Sequence, residues 1–88
     1  MVVHLLSRSG ADGTEPARVG FVVNKAVGNA VLRNRVHRRL RAVMAARLSE
    51  LPPGSLTVVR ALPASASSSF DDLATEVGGA LRRVLEPR

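Results

Sequence analysis

The sequence predicts a small α/β fold, an α+β two-layer sandwich in which two helices pack on a small, mainly antiparallel sheet in the order β-β-α-β-α. Three observations predict it. Three short runs rich in β-branched residues lie near 1–6, 18–25 and 55–62. Two longer stretches, about 28–48 and 70–85, carry apolar residues at helical spacing. Clusters of Gly, Pro and Ser separate these segments. Eighty-eight residues make one domain, 1–88, with room for one small core. The only aromatic residues are Phe21 and Phe70, so that core is aliphatic.

The first run, MVVHLL, reads as a strand whose His4 alternates with Val3 and Leu5 and so faces the wetter side. SRSGADGTEPA (7–17) reads as a loop. RVGFVVNK (18–25) places Val19, Phe21 and Val23 on one face of a second strand, and Gly20 implies a close approach to its backbone. The simplest arrangement of these two strands is an antiparallel pair joined by the loop. In the segment from about Gly28 to Leu48, Leu32, Val36, Leu40, Val43 and Met44 form a stripe roughly 120° wide at 100° per residue. Asn29 is placed to cap that helix. Arg33 and Arg47 fall at the stripe's edge, where long side chains snorkel. LPPGS ends the helix, and SLTVVRAL (55–62) is a third strand. PASASSS is a linker ending in serines that suit a helix start. Phe70, Leu73, Val77, Leu81 and Val84 then mark the last helix, with Asp71 and Asp72 in its first turn and Arg82 and Arg83 in its last. Gly78 and Gly79 in its middle each cost about 1 kcal/mol relative to Ala, and close packing on the sheet is the reason the pattern offers for them.

The charge distribution carries the functional signal. The net charge is +6 and the pI about 11.7, which bears on partners and not on fold. Residues 18–47 hold eight cations (Arg18, Lys25, Arg33, Arg35, Arg38, Arg39, Arg41, Arg47) and no acid, and all seven acids lie outside that window. A solvated helix face normally mixes signs, because opposite charges three or four residues apart stabilise each other. Arg35, Arg38, Arg39 and Arg41, with Asn34, spread over the side opposite the apolar stripe. Guanidinium forks donate paired hydrogen bonds to phosphate oxygens, so nucleic acid is the partner this helix fits. A membrane-surface helix would need large apolar anchors that are missing here, and no run reaches the roughly 20 apolar residues of a membrane span. Absent cysteine fits a reducing cytoplasm. His4 and His37 sit in separate elements without an orienting partner, and no metal or nucleophile constellation is visible, so no catalytic residue and no metal ligand is assigned.

ARVGFVVNKAVGNAVLRNRVHRRLR (17–41) resembles the protein subunit of bacterial ribonuclease P. The residues that carry the resemblance are Lys25, Gly28, Asn29, Ala30, Arg33, Asn34, Arg35, Arg38, Arg39 and Arg41, and MVVHLL and LTVVRALP resemble the family's flanking strands. The resemblance implies an accessory subunit of a ribonucleoprotein endonuclease that removes the 5′ leader of precursor tRNA in tRNA maturation. The catalysis then belongs to an RNA using its own bound Mg2+, and the protein holds no cofactor. It implies two RNA partners, the catalytic RNA and precursor tRNA. Lys25, Asn29, Arg33, Asn34, Arg35, Arg38, Arg39 and Arg41 are the RNA-binding residues it assigns. It also implies a groove between the basic helix and the sheet for the single-stranded leader, with His4, Arg18, Val22 and Asn24 as its residues here. The alternative reading is another RNA-binding protein of ribosomal type without a processing role. The sequence departs from the family pattern at Ala26 and His37, where basic residues are usual, and before MVVHLL, where the family carries a further helix and strand. A chain lacking that segment is expected to self-associate through its first strand.

Overall fold

The computed structural model describes residues 1–6 and 15–86. Its elements are β1 (Val2–Leu6), β2 (Arg18–Val22), α1 (Ala30–Ala45), β3 (Leu56–Arg60) and α2 (Phe70–Leu85), with short 3-10 helices at Lys25–Val27, Leu48–Glu50 and Pro63–Ser67. The expected class and element order stand. Most of the loop expected over 7–17 lies outside the described residues. α1 is shorter than the expected 28–48, because its last turns give way at Ala46 and resume only as the short helix before LPPGS. The serine linker is itself mostly a 3-10 helix, and Ser69 caps α2 by accepting from Asp72 N–H at 3.0 Å.

Strand pairing differs from the expectation. The sheet order is β1-β3-β2, so β1 and β2 are not neighbours. β1 runs antiparallel to β3, with Val3 opposite Val59, and β2 runs parallel to β3, with Phe21 opposite Val59. The sheet is therefore mixed instead of mainly antiparallel. The physical reason lies in α1: a strand followed by a helix returns alongside its own strand in parallel. β3 is also the run best suited to the centre, since Thr57, Val58 and Val59 are β-branched and a central strand has cross-strand neighbours on both sides.

Registered rows give each sheet face its character. Val3, Thr57, Val59, Val19 and Phe21 point to the helices. There they meet Val36, Leu40, Val43 and Met44 of α1 and Val77 and Leu81 of α2, which are buried almost completely. The opposite face presents His4, Leu6, Arg18, Val22 and Arg60, all exposed. Gly20 lies on that open face, and a Cβ there would meet nothing within 4 Å, so no close approach explains it. Gly78 does have a neighbour, but it is not the sheet. The Arg47 guanidinium lies over it, and a Cβ would come 2.6 Å from Nη2. A Cβ on Gly79 would be free of contacts.

Three stability changes follow from these environments. Thr57 is fully buried and its Oγ1 has no hydrogen-bond partner among the described residues, so Thr57→Val removes an unsatisfied polar atom at nearly constant shape and should stabilise by about 1 kcal/mol. Gly79→Ala should add about 1 kcal/mol by helix propensity. Gly78→Ala should gain less, because Arg47 must first move away. In a domain this small, each 1 kcal/mol raises the thermal midpoint by about 4–8 °C, which scanning calorimetry on the three variants resolves.

Candidate nucleic-acid interface

The approach to α1 is built by caps. After β2, the Asn24 side chain accepts from Ala26 N–H at 3.0 Å and starts the turn Lys25–Val27. Gly28 then takes φ +150°, a conformation side chains disfavour, and a Cβ there would strike Leu32 at 2.7 Å. Asn29 accepts from Leu32 N–H at 2.9 Å through its side-chain oxygen and caps α1, as its position in the sequence predicts. With the start fixed and Val36, Leu40, Val43 and Met44 in the core, the direction of every other α1 side chain is set.

The arginines divide into three groups. Arg35, Arg38 and Arg41 are exposed on the outer side, Arg41 at its border with β2, and have no acidic partner among the described residues. Arg39 is half-buried on one flank, where its Nη1 donates to the Ser68 carbonyl at 2.9 Å and ties α1 to the segment leading into α2. Arg33 is half-buried on the other flank, and its Nε is buried with no hydrogen-bond partner among the described residues. With Phe21, Val23, Ala30, Asn34 and His37, Arg33 lines a cleft of about 390 Å³ between α1 and β2. The His37 ring meets Phe21 edge-on, at 5.3 Å between centroids and 73° between planes. Lys25 and Asn34 are exposed near the helix start. Arg47 is directed elsewhere: its guanidinium bridges Glu50 at 3.3 Å.

The four residues expected in a helix–sheet groove are not found in this cleft. His4, Arg18 and Val22 are exposed on the open sheet face, on the other side of the sheet from α1, and Asn24 is engaged as a cap. Strand alternation dictates this, since residues flanking Phe21 point away from it. Two features escaped sequence reasoning. Arg60 joins the open face because register sets it between Val2 and Val22, and that register is invisible without the strand order. The pairing of Phe21 with His37 depends on the path of α1 across β2. Among the described residues no group of three or more His, Cys, Asp or Glu could hold a metal ion, and no helix is long and apolar enough to cross a membrane.

This geometry has known counterparts. The Ribonuclease P family profile matches residues 1–85. The chain belongs to the ribonuclease P protein family. It is 56% identical over 81 residues to a ribonuclease P protein component of Beutenbergia cavernae, covering 92% of this chain and 66% of that protein. It is 52% identical over 92 residues to that of Streptomyces bikiniensis, covering 97% and 73%. The chain thus spans about two thirds to three quarters of the length of these relatives. Its fold matches a Staphylococcus aureus RNase P protein with a TM-score of 0.80, at 22% identity over 94% of this chain and 72% of that one. The resemblance drawn from residues 17–41 therefore extends over the whole fold.

Stability separates anchors from free arginines. Arg39→Ala should cost roughly 1.5–3 kcal/mol, because it leaves a partly buried carbonyl without its charged donor. Arg35→Ala and Arg38→Ala should stay within about 0.5 kcal/mol of the parent. Asn29→Ala should cost about 1 kcal/mol as a lost cap, whereas Asn29→Asp keeps the cap and the stability. If Asn29 also touches RNA, the Asp variant weakens RNA binding while leaving the thermal midpoint unchanged. Urea melts paired with an RNA titration read both effects.

Proposed function

We propose that this chain is the protein subunit of a ribonuclease P ribonucleoprotein. In this reading it binds the catalytic RNA and the precursor tRNA leader and assists endonucleolytic removal of that leader in tRNA 5′ maturation. The observation that carries the reading is the outer side of α1, where Arg35, Arg38 and Arg41 stand exposed without acidic partners among the described residues in a chain of this family. Like charges left unneutralised on a folded surface favour a polyanion, and arginine forks match phosphate oxygens in pairs. The outer arginines dock on the folded catalytic RNA, with Lys25, Asn29, Arg33 and Asn34 contributing from the helix start. The open sheet face, with His4, Arg18 and Val22 joined by Arg60, receives the extended leader. Its mixture of cations with exposed Leu6 and Val22 suits phosphates and bases together.

The RNA carries the chemistry and its Mg2+, and the protein contributes binding and positioning in the cytoplasm. Neutralised phosphates release counterions, so binding to the catalytic RNA should weaken steeply with salt. Replacing Arg35 and Arg38 together should lower the slope of log K against log salt by about two, one per lost phosphate contact. The purified chain alone should leave precursor tRNA intact at every Mg2+ concentration, and cleavage should appear on adding the cognate RNA. RNA-free cleavage by the pure chain, or an unchanged salt slope in the double variant, would overturn the respective half of this proposal.

A further inference from the structure

Among the described residues β2 is an edge strand, bonded to β3 on one side only. In this parallel ladder Arg18 N–H donates to Ser55 and the Val22 carbonyl accepts from Ala61. Alternate residues of a parallel strand turn to one neighbour, so Arg18, Gly20 and Val22 address β3. The N–H and C=O groups of Val19 and Phe21 therefore point outward, and no described residue bonds to them.

Beside that free edge runs a groove. The cleft of about 390 Å³ at its upper end is continued by a second of about 280 Å³, lined by Ala17, Val19, Arg41, Met44 and Leu48, and Phe21 borders both. The start of α1 lies beside the end of β2 and the end of α1 beside the start of β2, so the helix runs antiparallel along the strand. Arg33, His37 and Arg41 line this wall at four-residue intervals, and no acid lines either cleft.

The spacings agree. Four helical residues advance about 6 Å, and two strand residues about 6.8 Å. Alternate side chains of an extended segment laid on β2 would meet Arg33, His37 and Arg41 in turn.

We propose that this groove takes an acidic peptide in extended conformation, added to the sheet beside β2 as a fourth strand. Its main chain bonds to the outward groups of Val19 and Phe21, and acidic side chains at every second position meet the Arg33–His37–Arg41 row. Single-stranded RNA would use the same cations, but it has no need of the strand edge, and it would find only Phe21 where such binders normally offer several stacking aromatics. A second copy of this chain fits poorly, since two β2 edges would bring basic rows together. The inference does not rest on the ribonuclease P reading; because that reading gives Arg33 and Arg41 to the catalytic RNA, peptide and catalytic RNA would exclude each other at this groove.

The test uses the full chain, a capped hexapeptide of alternating Glu and Thr, the same peptide with Lys for Glu, and hexauridylate. Amide hydrogen exchange followed by NMR should slow at least tenfold at Val19 and Phe21 with the Glu peptide, while Gly20 and Val22, already bonded to β3, stay unchanged. Arg41→Glu should weaken that peptide at least tenfold. Val19→Pro, tolerable on an edge strand, should abolish its binding with circular dichroism unchanged; if that variant unfolds, the exchange pattern and Arg41→Glu still decide. Equal binding of the Lys peptide, binding without protection at Val19 and Phe21, or no binding overturns the proposal. Binding by hexauridylate alone, with shifts centred on Phe21 and His37, assigns the groove to single-stranded RNA and overturns it too.

Discussion

The structure depends on one packing constraint: the aliphatic stripe of α1 must be buried against the sheet. Val36, Leu40, Val43 and Met44 are almost wholly removed from water, and each contributes roughly 1.5–3 kcal/mol by that burial. A helix turns 100° per residue, so fixing this stripe fixes every arginine at once. Rotating α1 by a single residue would drive guanidinium groups into the core and lift valines into solvent. The direction of the basic face is thus a consequence of hydrophobic packing, and the charges need no specific contact to be aimed correctly.

The two helices show what that packing offsets. α2 follows the rules of an isolated helix, with a serine cap, Asp71 and Asp72 in the first turn and Arg82 and Arg83 in the last. α1 has no acid in its first turn and no base in its last. It places like charges at three- and four-residue spacing, Arg35 with Arg38 and Arg39, and Arg38 with Arg41. Each such pair costs about 0.2–0.5 kcal/mol, an amount the buried stripe exceeds severalfold. A helix charged against its own stability is one whose surface is shaped by a partner, and α2 shows that this chain can make the other kind.

Local features of the fold were legible because they are written locally. The stripe of α1, the Asn29 cap, the Ser69 cap and the charge order of α2 all lie within one or two helical turns of sequence. The strand order was not, because Val2 pairs with Arg60 across most of the chain, and residues 1–6 and 18–25 look like a hairpin until β3 is inserted between them. Glycines misled for the same reason. Gly20 has the sequence signature of a close approach yet faces open space, while Gly78, read as sheet packing, is covered by Arg47, a residue more than one element away. Charge marked the 33–41 segment as suited to an anion, but not which arginines are free to meet one.

That last distinction is the main thing the three-dimensional arrangement adds. Arg39 looks equivalent to Arg38 in the sequence, yet it lies 100° further round the helix and falls over the lead-in to α2, where Ser68 offers a carbonyl. Its charge is then engaged inside the domain, and it links the basic helix to α2. Arg33 falls on the opposite flank, against Phe21 and His37, with a buried Nε that the protein leaves unbonded. A buried charged donor without a partner among the described residues is costly, and the burial of the α1 stripe offsets that cost. One run of arginines therefore does three jobs, set by angle alone: one joins the helices, one flank faces a groove at a strand edge, and the exposed remainder faces outward.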